Sequence, residues 1–184
     1  MLEQLIIAGS GGQGVLTLGM YLAKVVAAEG KNAAWLPAYG AEKRGGPSFC
    51  SLIISDSGIF SPVVETADTL IAFDQRALES YIGKTNDKTL VIENSSLILN
   101  DAAKNPVKLL IPASGIAKKL ESLKVMNIVI AGAYFAAKGI FKRETAETVM
   151  KEMLGSKAGK MLDKNLAAFK EGCDAAGSML RAAK

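Results

Sequence analysis

The residues of this chain whose spacing could support chemistry are glycines rather than acids or bases. Gly9, Gly11 and Gly14 follow the apolar residues 5–8 at the spacing G-x-G-x-x-G. In a strand–turn–helix unit the first glycine suits a tight turn, the second lets a ligand approach the backbone, and the third lets the helix pack against the sheet. We also expect free amide N–H groups at the start of the helix, where the helix dipole favours an anion. These amides belong to Ser10, Gly11, Gly12 and Gln13.

This glycine turn departs from two familiar nucleotide-binding patterns. A dinucleotide site needs an acid at the end of the second strand to hold the ribose, but the predicted second strand, residues 32–36, is followed by Pro37 and ends without Asp or Glu. A Walker A loop needs Gly-Lys-Ser/Thr at the right distance, and that sequence is missing. The turn therefore suits an anion, the tail of a cofactor or a partner subunit, and the alternative is a turn that binds nothing.

A second loop, residues 37–48, has the composition of a binding loop. Arg44 offers a planar fork for a carboxylate or a phosphate, and the glycines after it let another backbone come close. Because α/β sheets bind ligands at the carboxyl ends of their strands, we expect this loop to lie beside the glycine turn. The alternative is a solvated loop in which Arg44 pairs with Glu42. The candidate contact residues of the loop are Tyr39, Gly40, Glu42, Arg44, Gly45 and Gly46.

The chain offers little catalytic chemistry of its own. It has no histidine and two distant cysteines, Cys50 and Cys173, so it lacks the commonest general base and the ligand sets of zinc sites and iron–sulfur clusters. Asp74 and Glu93 end predicted strands, and we interpret them as a helix cap and a hydrogen-bonded turn rather than an acid/base pair. We therefore predict no catalytic residue and no metal ligand.

The apolar pattern predicts an α/β protein with a Rossmann-like, three-layer fold, a mostly parallel sheet and a helical C-terminal third. Helices are predicted at residues 15–28, 113–123, 127–141, 143–154 and 161–180, and a further helix is predicted to begin at residues 75–81. The helices at 15–28 and 127–141 are apolar on nearly every face, which predicts burial all round. The second is too short to cross a bilayer. We expect surplus apolar surface on these two helices to be buried against other subunits as well as in the core, and the isolated chain to form a homodimer through one or the other of them.

Size and charge limit the class of protein. At 184 residues and 49% hydrophobic, the chain fits a single domain, residues 1–184. Its net charge of +4 is mild and its aromatic residues are few, which disfavours nucleic-acid binding. No basic leader with a cleavage site precedes the first strand, and this predicts a cytoplasmic protein.

The two glycine motifs together resemble one protein family. Gly9-Ser-Gly-Gly-Gln-Gly14 and Tyr39-Gly-Ala-Glu-Lys-Arg-Gly-Gly46 are similar to motifs in the gamma subunit of 2-oxoacid:ferredoxin oxidoreductases, which include the pyruvate, 2-oxoglutarate and branched-chain ketoacid enzymes. The resemblance implies a structural or site-completing subunit of a complex that converts a 2-oxoacid and coenzyme A to acyl-CoA and CO2 and reduces ferredoxin.

The resemblance also implies where the cofactors lie. Thiamine diphosphate, Mg2+ and iron–sulfur clusters would sit on partner chains, the alpha, beta and ferredoxin-like delta subunits, and coenzyme A would be a co-substrate. Three other classes remain open: a subunit of the similar indolepyruvate oxidoreductase, a self-sufficient nucleotide-binding Rossmann-like protein, and a homodimeric binding module.

Overall fold

The computed structural model describes residues 1–39, 45–100, 107–155 and 158–182 of the chain. These residues form one six-stranded sheet with helices on both faces. The strands are β1 (Leu2–Ser10), β2 (Asn32–Tyr39), β3 (Pro47–Ser55), β4 (Thr69–Ala72), β5 (Leu90–Asn94) and β6 (Lys108–Ile111). The helices are α1 (Val15–Ala28), α2 (Gln75–Tyr81), α3 (Ala113–Lys119), α4 (Met126–Lys138), α5 (Arg143–Leu154) and α6 (Ala158–Ala182). The α/β class, the mostly parallel sheet and the helical C-terminal third are confirmed.

The strand order, β2-β3-β1-β4-β5-β6, places β3 between the first two strands. The pairs β1–β4, β4–β5 and β5–β6 are parallel, whereas β3 runs antiparallel to both β1 and β2. Because β1 and β2 both oppose β3, they run in the same direction. Their carboxyl ends therefore lie at one edge of the sheet, together with the start of β3.

The predicted end of the second strand before Pro37 is wrong. Strand β2 continues to Tyr39, and Pro37 pairs in register with Cys50 of β3. β2 is at the edge of the described sheet, where one side of its backbone pairs with none of the described strands. A proline, which lacks the amide donor, is tolerated there.

The side chains of alternate residues in the central strands belong to two apolar clusters, a larger one on one face of the sheet and a smaller one on the other. Leu5 and Ile7 of β1 join the cluster covered by α1, α4, α5 and α6. Ile6 and Ala8 face the other way, into a smaller cluster covered by α2 and by the segment that contains Val64 and Ala67. One face of the sheet is therefore covered by α1, α4, α5 and α6, and the other face by α2 and the segment around Val64 and Ala67.

Helix α4 is buried inside its own chain. Ten consecutive residues, 126–135, are buried, and a Cβ atom added to Gly132 would meet the backbone of Phe169 on α6. The predicted close approach of a second helix is confirmed, and that helix is α6. The predicted surplus apolar surface on α4 is wrong, because α6 covers it.

The other all-apolar helix is buried on one face only. Val15, Leu18, Leu22 and Val25 of α1 are in the core, but the opposite side is exposed. Burial of α1 all round is therefore wrong. The exposed residues are small, polar or charged: Thr17, Lys24, Ala27 and Ala28.

The predicted helix 113–123 ends early. α3 stops at Lys119, because Glu121 takes a positive φ of 54°, which helices of L-residues do not adopt. A short 3₁₀ turn, Leu123–Val125, then leads into α4. No helix in the described ranges is long and apolar enough to cross a membrane.

Candidate functional site

The glycine turn after β1 closes on itself. The Ser10 amide donates to Gln13 Oε1 at 2.7 Å, and the Gln13 amide donates to the Ser10 carbonyl at 3.1 Å. Gly12 and Gly14 have φ of 97° and 82°, values that favour glycine. The turn is therefore held by its own short-range hydrogen bonds, with glycines where the backbone needs them.

The second loop lies directly against this turn, as predicted. The Gly11 amide donates to the Gly46 carbonyl at 2.9 Å, and a Cβ atom on Gly11 would lie 3.3 Å from the Gly45 amide nitrogen. The close approach that Gly11 permits is thus an approach of the chain's own loop. Gly11, Gly12 and Gly45 are exposed and Gly46 is buried, so the two loops present bare backbone to solvent at the carboxyl edge of the sheet.

The prediction that four turn amides are free is wrong for three of them. Ser10, Gly11 and Gln13 use their N–H groups inside the chain. Within the described residues, the amide of Gly12 has no such acceptor. The turn therefore lacks the set of free backbone amides with which a phosphate-binding loop surrounds its ligand.

Asp74 ties the turn to the neighbouring strand. Its carboxylate accepts from the Ala77 amide at 3.0 Å and so caps α2, as predicted, and it accepts from Ser10 Oγ at 2.7 Å as well. Sequence reasoning missed the second bond, although Ser10 ends β1 and Asp74 closely follows β4, its parallel neighbour. A carboxylate so close to the turn makes a bound phosphate at that point less favourable.

The third glycine packs against α4 rather than against the sheet. Asn127 Nδ2 donates to the Gly14 carbonyl at 3.3 Å, and its buried Oδ1 has no hydrogen-bond partner among the residues that the structure describes. No side chain caps α1 and no acid stands in its first turn. The start of α1 therefore keeps the partial positive charge of a helix N-terminus. Nothing in the sequence around Asn127 predicts this contact with Gly14.

The hydrogen-bonded turn predicted after the strand that contains Glu93, now β5, is confirmed. The amides of Leu97 and Ile98 donate to the Asn94 carbonyl at 2.9 and 3.1 Å. The Asn94 side chain is buried and donates to the Phe73 carbonyl and to Ser114 Oγ. Its role is to join β5, β4 and α3.

Part of the predicted site lies outside the described residues. Gly40, Glu42 and Arg44 belong to the undescribed segment 40–44, and the pairing of Arg44 with Glu42 falls there too. The backbone of Tyr39 is in β2, opposite Ser48. The predicted site residues that the structure brings together are therefore the glycine turn, Gly45 and Gly46.

The cysteines are not arranged for catalysis or cluster binding. Burial raises the pKa of the Cys50 thiol to about 11 and also raises the pKa of Cys173, so both are protonated and poor nucleophiles at neutral pH. A [4Fe–4S] cluster is usually held by four thiolates, and the chain has two cysteines. In the part of the chain that the structure describes, no group of three or more metal-ligating side chains comes together.

These features define a Rossmann-like α/β module with an exposed pair of glycine loops at the carboxyl edge of its sheet. Residues 4–175 match the family model described as "Pyruvate ferredoxin/flavodoxin oxidoreductase". The chain belongs to this family.

Relatives divide into long proteins and chains of similar length. The ketoisovalerate oxidoreductase subunit VorA of Methanothermobacter marburgensis is 33% identical over 170 residues, which are 91% of this chain and 35% of the relative. The chain thus spans about a third of that protein. The 2-oxoglutarate synthase subunit KorC of the same organism is 31% identical over 180 residues, covering 94% of this chain and 95% of the relative.

A solved structure shows the same fold. The keto/oxoacid ferredoxin oxidoreductase gamma subunit from Geobacter sulfurreducens is 26% identical and superposes with a TM-score of 0.85, covering 97% of this chain and 98% of that one. The recognition of the gamma-subunit family from the two glycine motifs is confirmed.

Proposed function

We propose that this chain is the gamma-type subunit of a multi-subunit 2-oxoacid:ferredoxin oxidoreductase, acting as one unit over residues 1–184. The observation that carries the proposal is the family match over residues 4–175 together with end-to-end similarity to a short subunit of 2-oxoglutarate synthase. In the proposed complex a 2-oxoacid and coenzyme A give acyl-CoA and CO2, and the two electrons released reduce ferredoxin. We place the complex in the cytoplasm.

The redox groups belong, in this proposal, to partner subunits. Two protonated, separate cysteines do not fit an iron–sulfur cluster, and the glycine turn uses most of its amides internally, which disfavours a diphosphate there. Thiamine diphosphate, Mg2+ and the clusters would then lie on alpha, beta and ferredoxin-like delta chains. Coenzyme A enters as the co-substrate.

We assign the two glycine loops to the completion of a partner's active site. Gly12 and Gly45 are exposed and have no side chains, so another backbone or a cofactor arm can come close. Arg44 adds a positive fork to the same loop. The loops serve either coenzyme A or the partner subunit, and the variants below separate these roles.

The first experiment measures coenzyme A-dependent reduction of a viologen dye with each 2-oxoacid in turn: pyruvate, 2-oxoglutarate, a branched-chain 2-oxoacid and indolepyruvate. The purified chain alone is expected to show no turnover, because it has no histidine and, with two cysteines, no complete ligand set for a cluster. Addition of the chain to its co-purified partner subunits should restore activity. Turnover by the chain alone, or a lack of binding to thiamine-containing subunits, contradicts the proposal.

The second experiment changes Arg44 to Ala in the reconstituted complex. A charge-assisted hydrogen bond contributes about 1.5–3 kcal/mol, so the affinity should fall roughly ten- to a hundredfold. Arg181→Ala, at the end of α6, removes the same charge elsewhere and is the control. A raised KM for coenzyme A with intact assembly assigns the loop to the cofactor, and failed assembly assigns it to the interface. Wild-type behaviour in both assays eliminates both roles.

A further inference from the structure

A groove lined by lysines runs between the end of α3 and the first turns of α6. It is a cleft of about 740 Å³, and its described lining includes Lys118, Lys124, Lys160 and Lys164 but a single acid, Glu121. Lys164 is paired with that acid, with 3.9 Å between Nζ and Oε2. The other three lysines are exposed and make no ion pair with any residue that the structure describes.

Helix stability does not account for this concentration of charge. A lysine near the end of α3 complements the helix dipole, which explains Lys118. Lys124 belongs to the 3₁₀ turn after α3, and the dipole of α3 does not explain it. Lys160 and Lys164 stand four residues apart on α6, a spacing at which like charges destabilise a helix.

An apolar cavity continues the groove towards the glycine turn. It has a volume of about 210 Å³ and shares Lys124 and Met161 with the lysine cleft. Its other walls come from α1, α4 and α5 and include Tyr21, Met150 and Met153. Methionines adapt their shape to an inserted side chain.

Two buried amides at this cavity have unused hydrogen-bonding capacity. Asn127 is 5% exposed and Asn165 is 7% exposed. Within the described ranges, Asn127 Oδ1 has no hydrogen-bond partner and the Asn165 side chain makes no hydrogen bond. Buried polar groups are normally satisfied, so both amides suit contact with polar groups of an incoming chain.

We propose that this lysine groove docks an acidic segment of a partner protein chain, with one large apolar side chain of that segment in the adjoining cavity. An apolar anchor surrounded by a charged rim is the usual form of a specific protein interface. Leu123, 57% exposed at the cleft, adds apolar contact area beside the lysines. The proposal rests on the proposed function only in that the partner is sought among subunits of the same complex.

The lysines favour a protein surface over a compact phosphate ligand. Among the residues that the structure describes, the lining contains no arginine, which is the residue that binds phosphate with two parallel hydrogen bonds. Single ammonium groups spread over a wide cleft instead attract a distributed negative surface and speed its approach.

The first test reverses two charges in the full chain. Lys124→Glu/Lys160→Glu is expected to slow association with the purified thiamine-binding subunits at least about tenfold at low ionic strength, and added salt should slow the wild type similarly. Lys24→Glu/Lys88→Glu changes the charge equally at exposed lysines elsewhere and should leave the rate unchanged. Association of the Lys124/Lys160 variant at the wild-type rate overturns the docking proposal and leaves the proposed function standing. Failure of the wild type to associate overturns the proposed function instead.

The second test identifies what occupies the groove. A photoreactive benzophenone amino acid in place of Leu123, within the assembled complex, should crosslink to a segment of a partner subunit that is rich in Asp and Glu. The same probe at Phe60, exposed on the other side of the sheet, is the control. A crosslink to a second copy of this chain, a crosslink to a segment without excess acid, or loss of crosslinking on addition of coenzyme A overturns the proposal.

Discussion

At the scale of single residues, Gly12 and Gly14 separate two reasons for a glycine. Both have positive φ, 97° and 82°, but their surroundings differ. A Cβ atom on Gly12 would enter open space, whereas one on Gly14 would lie 2.6 Å from Asn127 Nδ2 and 2.8 Å from its Cγ. Glycine is therefore required at position 12 by the backbone conformation alone, and at position 14 by both the backbone conformation and the packing against Asn127.

This difference predicts unequal losses of stability. Gly12→Ala should lower the free energy of unfolding by about 1–2 kcal/mol through backbone strain. Gly14→Ala should lose a further 1–3 kcal/mol or so, because Asn127 must move. Equilibrium urea unfolding followed by circular dichroism measures both.

The matched control is Gly58→Ala. A Cβ atom there meets nothing within 4 Å, and φ lies outside the positive region. Its stability should stay within about 0.5 kcal/mol of the wild type. Equal losses at Gly12 and Gly14 would show that Asn127 gives way without cost.

At the scale of elements, the contact between α4 and α6 depends on two glycines that face each other's helix. A Cβ atom on Gly132 would collide with the Phe169 carbonyl, and one on Gly172 with the Val129 carbonyl. Cys173 Sγ also donates to the Gly132 carbonyl at 3.2 Å. The two backbones are therefore too close to admit a methyl group.

Alanine at either position should consequently weaken the fold. We expect Gly132→Ala and Gly172→Ala each to cost about 2–3 kcal/mol or more, because the helices must separate. Thermal and urea unfolding of the variants would measure the loss.

Gly177→Ala, which lies on α6 like Gly172, is the control and should be neutral or stabilising by up to about 1 kcal/mol. Its nearest neighbour is the flexible Arg181 side chain at 3.5 Å, and alanine favours helix over glycine. A wild-type stability for Gly132→Ala would contradict the observed helix contact.

At the scale of the whole molecule, the core holds several groups that resist losing a proton. Burial raises the pKa of Tyr134, of Cys50 and of Tyr21, whose hydroxyl donates to the Ala146 carbonyl at 3.0 Å. These groups bind protons more tightly in the folded chain than in the unfolded chain. Their contribution to stability is therefore complete below the unfolded values of 9.0 for cysteine and 10.0 for tyrosine, and it is lost as the pH rises above them.

The expected result is a free energy of unfolding that is steady near pH 8 and falls above about pH 9. Tyrosinate absorbance should show Tyr21 and Tyr134 ionising only when the chain unfolds. Tyr21→Phe removes one such group and should flatten the alkaline decline. Ionisation of all tyrosines before unfolding would contradict the burial described here.

The sequence by itself determined what local chemistry controls. Helices α1 and α5 begin and end where their residue patterns predict, α2 begins where predicted and Asp74 caps it. Gly11, Gly12 and Gly14 form the turn after β1, whereas Gly9, expected in that turn, is still part of the strand and pairs with Ser48. Each of the confirmed outcomes depends on propensities and hydrogen bonds within a few residues, so a short stretch of sequence suffices. The two glycine motifs also identified the family.

Tertiary structure alone decided which distant groups meet. The placement of β3 between β1 and β2, the bond from Gly11 to Gly46, and the contact of Asn127 with Gly14 join residues far apart in the chain. Apolar runs of similar composition can pair in several orders, and only the packing of the whole sheet with its helices selects one. For this reason the sequence located the candidate site, whereas the fold decided that three of its four turn amides are bonded within the chain and that a lysine groove lies between α3 and α6.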